Sequence, residues 1–419
     1  METENFSLSQ RTERRKRRLI PYQPLSLELF FFLFIISLLS VRILNASQIT
    51  LKINGNSDTR LIDSSFQSYI SQVLVNGGSK SCKDTCSYLG GDSNTVVIEF
   101  EGTITNCNNM FKGREKITEV NLNAFDASQV TEMYSMFQEC SSLETVTFGN
   151  MNTQNVFRME SLFLSCINLK SVDFHNLDIS KVRKMDFLFA NCEALETVSF
   201  RSSTPANLES IQSLFLCCYK LKSVDLTPLK TPDVTVMSSM FKECHNLTSI
   251  NFGDIDTSKV NTMSDMFSNC YSLKSIDLSK FVTSKVTNME RMFNGCGALT
   301  ELSVGNFMTP LLTTLYYTFN GCSKLKSLDL SNWNFEKLVI MSFTFAACTD
   351  LKEIKFGTSS SPVLREMIYT FSGCKNLTFI DISNLDYSSV EKMVYTFESC
   401  EKLTSVDFGN IRTPSLVDV

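Results

Sequence analysis

The sequence predicts an α/β solenoid of about twelve strand-helix units that follow a small N-terminal cap. Three observations support this fold class. A short motif recurs every 26 residues without an insertion, and each unit shows a strand-like alternation followed by a helix-like spacing of apolar residues. Because a fixed period of roughly 20 to 50 residues is typical of stacked architectures, we expect one continuous core over most of the chain.

The recurring motif is Phe-x-x-Cys-x-x-Leu. A less regular first unit has Phe111, Arg114 and Ile117 in the same three places. A single unit of this size cannot bury its own apolar face, so neighbouring units must stack and share a core. The full matches begin at Phe137, Phe163, Phe189, Phe215, Phe241, Phe267, Phe293, Phe319, Phe345, Phe371 and Phe397.

One unit illustrates the local pattern. Ile250 and Phe252 alternate with polar residues, which predicts a short strand with one buried face. Thr257 comes next and is predicted to cap a helix, since Pro232 and Pro310 follow the same position in other units and proline is favoured in the first helical turn. The helix is predicted from apolar residues spaced three and four apart, namely Val260, Met263, Met266, Phe267 and Cys270. Strand and helix together predict a right-handed solenoid of leucine-rich-repeat type.

A second period of 52 residues appears on the predicted exposed face of the strands. Five aspartates keep this spacing, which places like charges about 10 Å apart if strands stack at about 4.8 Å. Carboxylates this far apart do not converge on a calcium ion. The candidate residues for a protein- or glycan-binding face are Asp173, Asp225, Asp277, Asp329 and Asp381, and the alternative is an ordinary solvated sheet surface.

Residues 45–95 do not share the repeat and are predicted to form an N-terminal cap, with the solenoid covering 96–419. The alternation of Ile49, Leu51 and Ile53 predicts a strand. The apolar spacing over 66–74 predicts an amphipathic helix, and 96–100 reads as the strand of a degenerate first unit. The cap is therefore expected to cover the open end of the core.

The cysteines fall into two groups. Those of the repeat motif lie on the apolar face of each unit, so we interpret them as small buried hydrophobic residues rather than zinc ligands. Cys82, Cys86 and Cys107 lie outside the full repeats, and in an exported chain two of the three are candidates for a disulfide in the cap. The sequence leaves the pairing open.

The N-terminus combines a basic cluster with an apolar stretch. Residues 1–24 are predicted to form a cytoplasmic basic tail, and 25–44 a signal anchor or a signal peptide. The positive flank would remain in the cytoplasm, so the rest of the chain would be exported. This predicts a single-pass type II protein at the cell surface, attached to the membrane through this one segment, or a secreted protein if the segment is cleaved. Asn45, Asn246 and Asn376 lie in glycosylation sequons that would then be accessible.

Composition excludes several classes of function. The net charge is −5, which disfavours nucleic-acid binding because that affinity depends mainly on basic contacts with phosphates. The 2 histidines leave little scope for histidine-based catalysis or a zinc centre. No phosphate-binding glycine loop or paired acidic motif interrupts the repeat, so we expect neither an enzyme nor a cofactor or metal site.

The repeat resembles that of the BspA-like leucine-rich repeat surface proteins. The resemblance is carried by Phe-x-x-Cys-x-x-Leu with a preceding Val-x-x-Met-x-x-Met-Phe, as in Asp256 to Cys270, and it covers about residues 96–419. It implies exposure at the cell surface and binding to host or neighbouring-cell proteins, without enzymatic activity. The family has no catalytic residues to transfer to this chain.

These observations lead to one functional prediction and one alternative. We predict a cell-surface protein that mediates adhesion or protein–protein binding through the sheet face of the solenoid, its partner being a host or neighbouring-cell protein or glycan. The alternative is a structural or coat protein that self-associates through its C-terminal end, where the sequence shows no cap.

Overall fold

The computed structural model describes residues 47–55, 57–200, 205–304, 306–410 and 412–418. They form a β-solenoid of about 11 turns, here called coils, which follows an antiparallel β-sheet cap. The predicted basic tail at 1–24, the apolar segment at 25–44 and the sequon at Asn45 lie outside the described residues.

The strands of the cap and of the coils differ in length and direction. Cap strands are antiparallel and the three longest have six to eight residues, whereas coil strands have three to five residues and pair in parallel. The strands are β1 Ser47–Asn54, β2 Thr59–Arg60, β3 Ile70–Val75, β4 Gly78–Lys80, β5 Thr85–Cys86, β6 Ser93–Phe100, β7 Ile117–Asn121, β8 Thr145–Thr147, β9 Ser171–Asp173, β10 Thr197–Ser199, β11 Ser223–Asp225, β12 Ser249–Asn251, β13 Ser275–Asp277, β14 Glu301–Ser303, β15 Ser327–Leu330, β16 Glu353–Phe356, β17 Phe379–Asp381 and β18 Ser405–Asp407.

The predicted strand-helix architecture is wrong. Among the described residues the only helix is a 3₁₀-helix at Ser64–Tyr69 in the cap, and the repeating unit contains none. Where a helix was predicted, each coil instead makes consecutive turns. An isolated parallel bridge also links each coil to the next, for example Val236 to Thr262 and Thr262 to Asn288. The protein is therefore a β-solenoid and not an α/β solenoid.

The backbone amides explain why no helix forms. An α-helix directs its amides to carbonyls of the same segment. Here every second amide donates to the next coil instead, at N···O distances of 2.7–3.0 Å, from Met263, Asp265, Phe267 and Asn269. Of the amides between them, those of Met266 and Ser268 close i to i−3 turns, Ser268 with Asp265 O at 3.1 Å. The same apolar side chains point inward as a helix would have directed them, but the hydrogen bonds run between coils.

Two residues in most coils adopt the left-handed backbone region, which is incompatible with an α-helix. They lie two residues before and two after the motif phenylalanine, as Asp265 (φ 55°) and Asn269 (φ 61°) do. Glycine fills the second place in four coils, including Gly295 and Gly321. This place is the last but one residue of the predicted helix, and glycine is common at a helix end, so these glycines were compatible with either structure.

The predicted helix caps have another role. Thr257 is buried, and its hydroxyl donates to the carbonyl of Val282 (3.0 Å) and accepts from the amide of Val282 (2.7 Å). Thr231 makes the same two bonds with Asp256. The hydroxyl therefore acts as a bridge between two coils rather than as a cap within one.

The core is a stack of equivalent side chains. The motif phenylalanines from Phe111 to Phe397 stack with ring centroids 5.3–5.9 Å apart. Each motif cysteine donates its thiol to the phenylalanine carbonyl one coil back, as Cys270 does to Phe241 O at 3.1 Å. Burial raises the pKa of the Cys296 thiol to about 12, so these thiols stay protonated at neutral pH.

The cap extends the first sheet by antiparallel pairing. Strand β1 lies between β6 and β7, and β3 pairs with β6 and with β4. The helix predicted over 66–74 is therefore wrong for its second half, which is strand β3. Strand β6 belongs to the cap and not to a first coil, because it is antiparallel to both its neighbours.

The localisation prediction needs correction. In the part of the chain that the structure describes, no helix has the length and apolar character needed to cross a membrane. The assignment as a single-pass type II membrane protein is therefore not supported, and we do not retain it.

Candidate binding face of the strand sheet

The exposed face of the coil strands carries two polar columns. In most three-residue coil strands the first and third side chains are exposed, and the middle one is packed against the core, as Ile276 is between Ser275 and Asp277. The parallel register sets Asp277 beside Ser303 and Asp329 beside Lys355. All five predicted aspartates lie on this face, each at the third position of its strand.

These aspartates also have a structural role that the sequence analysis missed. In each case a carboxylate oxygen accepts a hydrogen bond from the backbone amide two residues on, for example from Ser279 to Asp277 at 2.9 Å. Equivalent bonds form at Asp173, Asp225, Asp329 and Asp381. Asn251 fills the same position and bonds to Gly253. The column therefore shapes the turn that follows each strand.

Hydrogen bonding also affects the ionisation of three of these side chains. The bonds from Ser279, Ser331 and Ser383 lower the pKa values of Asp277, Asp329 and Asp381 below the ordinary aspartate value. These carboxylates are therefore ionised at neutral pH, and each presents its remaining oxygen lone pairs to solvent.

The strand sheet is interrupted at every second coil. From β11 onward the strands form separate pairs, so β12 bonds to β11 and β13 bonds to β14. The interruptions follow the 52-residue period of the sequence. The turns and bridges on the other sides of the coil continue through them, so the solenoid itself is unbroken.

A groove of about 460 Å³ lies over the interruption between β12 and β13. Its apolar lining includes Ile276, Phe252 and Phe281, which are 3–8% exposed. Its polar lining includes Ser249, Asn251, Ser275, Asp277, Lys280, Glu301 and Ser303. A few polar groups around an apolar lining are typical of a ligand-binding cleft. Of the predicted aspartates, Asp277 lines this groove, and Asp173 lines another along β9 and β10.

The charges along the groove have both signs. Lys280 forms an exposed ion pair with Asp254 at 3.2 Å, and Glu301 begins the strand on the far side of Asp277. Lysines near other strand starts pair with glutamates one coil back, as Lys222 does with Glu196 at 3.2 Å. The face therefore has no large field of one sign, and its recognition must depend on shape and hydrogen bonding.

The other predicted residues are more scattered. Asn246 is exposed, whereas the amide of Asn376 donates to Thr349 O at 3.0 Å. Cys82 and Cys86 form a disulfide with a Cα–Cα distance of 5.2 Å, and Cys107 is a buried free thiol. Within the described ranges no group of histidine, cysteine and acidic side chains is arranged to hold a metal ion.

A column of partly exposed aromatic rings on another side of the coil was not predicted from the sequence. Tyr317, Phe343, Tyr369 and Tyr395 each lie two residues before the motif phenylalanine. In several earlier coils this position holds serine or aspartate. The change to aromatic residues in four successive units was visible in the sequence, but only after aligning a position that the core motif does not use.

The fold and this face define a repeat protein of the β-solenoid class. The chain belongs to the DUF285 family, described as "Mycoplasma protein of unknown function", which matches residues 105–222, 209–310 and 313–418. No curated protein is significantly similar to it in sequence.

One similar solved chain comes from the "Structure of the Toll - Spatzle complex, a molecular hub in Drosophila development and innate immunity". It is 16% identical, with a TM-score of 0.25, over 71% of this chain and 48% of the solved chain. The protein therefore spans about half the length of that chain.

Proposed function

We propose that this protein is a non-catalytic binding protein that holds a segment of another protein in the groove between β12 and β13. The observation that carries the proposal is the combination of an apolar lining with hydrogen-bonding groups on adjacent strands. An apolar side chain of the partner would contact Phe252 and Phe281. Its backbone amides and carbonyls would bond to Asp277 and Asn251.

Two further points support this proposal. The resemblance of the repeat to BspA-like surface proteins implies adhesion or protein binding rather than catalysis. Solenoids also offer extended surfaces on which a partner can contact several coils at once. The family description names no activity, so the groove itself is the basis of the proposal.

The test is selection of binders from a random library of short peptides on the full chain. The dissociation constants of the selected peptides are then measured on the variants Asp277→Asn and Lys280→Gln. Asp277→Asn removes the charge but keeps the acceptor for the Ser279 amide, so the turn is preserved. We expect Asp277→Asn to bind the selected peptides roughly tenfold more weakly than the wild type, which is the usual effect of losing a charged hydrogen bond.

The matched control is Asp329→Asn. Asp329 occupies the same strand position and makes the same bond to Ser331, but it lies beside Lys355 and outside the groove. Selected peptides should bind this variant like the wild type. If Asp277→Asn and Asp329→Asn lost affinity equally, or if no peptide could be selected, the groove would not be the binding site.

A further inference from the structure

The aromatic ladder consists of the partly exposed rings of Tyr317, Phe343, Tyr369 and Tyr395, one in each of four successive coils. Neighbouring ring centroids are 4.4, 4.9 and 4.8 Å apart. Tyr395 is 54% exposed and the other three rings are half-buried. The ladder therefore forms a continuous apolar ridge about four coils long.

The backbone under the ladder is unfavourable for large side chains. The four φ angles are 57°, 59°, 53° and 56°, in the left-handed region where bulky residues are uncommon. Ser213, Ser239 and Asp265 occupy this place in earlier coils. Four aromatic residues here combine backbone strain with exposed apolar surface, and such strain is concentrated at functional sites. Their presence indicates a contact surface rather than stabilisation alone.

The stacking restricts what the ladder can bind. Each inner ring has its faces covered by the rings above and below, so a sugar or a nucleobase cannot stack on it. The stacking leaves the ring edges uncovered, and Tyr395 is the most exposed of the four rings. Edges of this kind pack against apolar and aromatic protein surfaces, and tyrosine is enriched in the centre of protein interfaces.

The surroundings are also suited to a protein interface. Ile340, Ile368 and Val394 lie half-buried within three residues of the ladder in their coils. Two pairs of charged residues in this region are joined within the chain, Lys392 with Glu366 at 2.9 Å and Arg365 with Glu391 at 2.5 Å, while Glu398 bonds to the Ser372 hydroxyl at 3.3 Å. These ion pairs reduce the charge repulsion that an identical face would meet on approach.

We propose that the ladder is the contact surface of a homodimer in which two solenoids lie antiparallel about a two-fold axis. Two copies share the same rise per coil, so the four ring edges of one chain match those of the other without strain. An extended strand has a two-residue repeat of about 6.6 Å, which does not match the ring spacing. A two-fold axis at the centre of the ladder places Phe343 against Tyr369 of the second copy. This surface is separate from the groove, so the two proposals can fail independently.

The test is the oligomeric state of the full chain by sedimentation equilibrium across micromolar concentrations. The main variant is Phe343→Arg, because Arg291 occupies the same column at φ 54° and shows that the backbone accepts this side chain. Near the two-fold axis the variant would bring two uncompensated cations into an apolar contact. We expect a dimer for the wild type and a rise in its dissociation constant of about 30-fold or more for the variant.

The matched control is Phe187→Arg. Phe187 lies in the same column at φ 55°, but in a coil outside the ladder. It should dimerise like the wild type. A monomeric wild type would overturn the proposal, and the partner of the ladder would then be a different protein. Dimers that survive Phe343→Arg, dimers lost equally in the control, or larger assemblies would also overturn it.

A second variant covers the case in which Phe343→Arg does not fold, judged by circular dichroism and thermal melting. Tyr369→Asn combined with Tyr395→Asn removes two rings, and asparagine is well tolerated at positive φ. This double variant should fold and remain monomeric at concentrations where the wild type is dimeric. A folded double variant that still dimerises would refute the proposal.

Discussion

The aspartate at the end of a coil strand has two roles. It presents a charge on the sheet face, and it accepts the amide that begins the following turn. Only the first role was visible from the sequence, because the second depends on where the backbone turns. Replacing Asp277 by alanine would therefore change both the charge and the turn, and a loss of binding in that variant would be ambiguous.

We predict different effects of alanine and asparagine at this position. Asp277→Ala leaves the Ser279 amide without its acceptor, so the free energy of unfolding should fall by about 1 kcal/mol. Asp277→Asn keeps the acceptor and should remain close to the wild type, as Asn251 does naturally. Urea unfolding measures the free energy of unfolding of both variants. Equal stabilities would show that the bond is not needed.

Acid should weaken this set of turns. The folded pKa values of Asp277, Asp329 and Asp381 lie below their ordinary value of 3.8, so ionisation is coupled to folding. Their contribution to stability is fully present above that value and is lost as the pH falls through the lower folded pKa. A triple asparagine variant should lose less stability than the wild type between pH 5 and pH 2, which denaturant unfolding at each pH can measure.

At the scale of the element, a coil depends on its neighbours for its hydrogen bonds. Alternate amides of the consecutive turns, and the hydroxyl column of Thr231 and Thr257, all bond to the next coil. An isolated unit would have these groups unpaired. This dependence is why a pattern read within one unit gave the correct buried residues but the wrong secondary structure.

Substitutions at Thr257 test the hydroxyl bridge. Thr257→Val keeps the volume but leaves the part-buried amide and carbonyl of Val282 without their partner. This should cost about 1–3 kcal/mol of unfolding free energy. Thr257→Ser retains the hydroxyl and should cost less, since Ser361 fills this position in another coil and accepts from Asp386 at 3.1 Å. Thermal and urea unfolding distinguish the two, and identical losses would rule out the bridge.

Over the whole molecule, the sequence predicted the stacking but not the path of the chain. Period, core and cap followed from the repeat, and the apolar residues of the motif are buried as expected. Apolar spacings of three and four also arise in consecutive turns whose residues at positive φ direct the side chains between them towards the core. The pattern from Val260 to Cys270 was therefore mistaken for that of a helix. Gly295 and Gly321 are part of these turns, with φ angles of 74° and 72°.

The candidate site was predicted only in part. Asp277 was selected because of its spacing, and it does line the groove. The groove itself could not be predicted, because it depends on the missing pairing between β12 and β13. The aromatic ladder was not predicted either, because its position in the repeat lies outside the motif that identifies the buried residues.

The bonds between coils have a mechanical consequence. Because each coil bonds mainly to the coils directly beside it, a force applied along the stack should detach one coil at a time from an exposed end. Each detachment would release 26 residues, or roughly 90 Å of extended chain. Single-molecule extension should then show a regular sawtooth of that spacing, so that the protein yields gradually under tension.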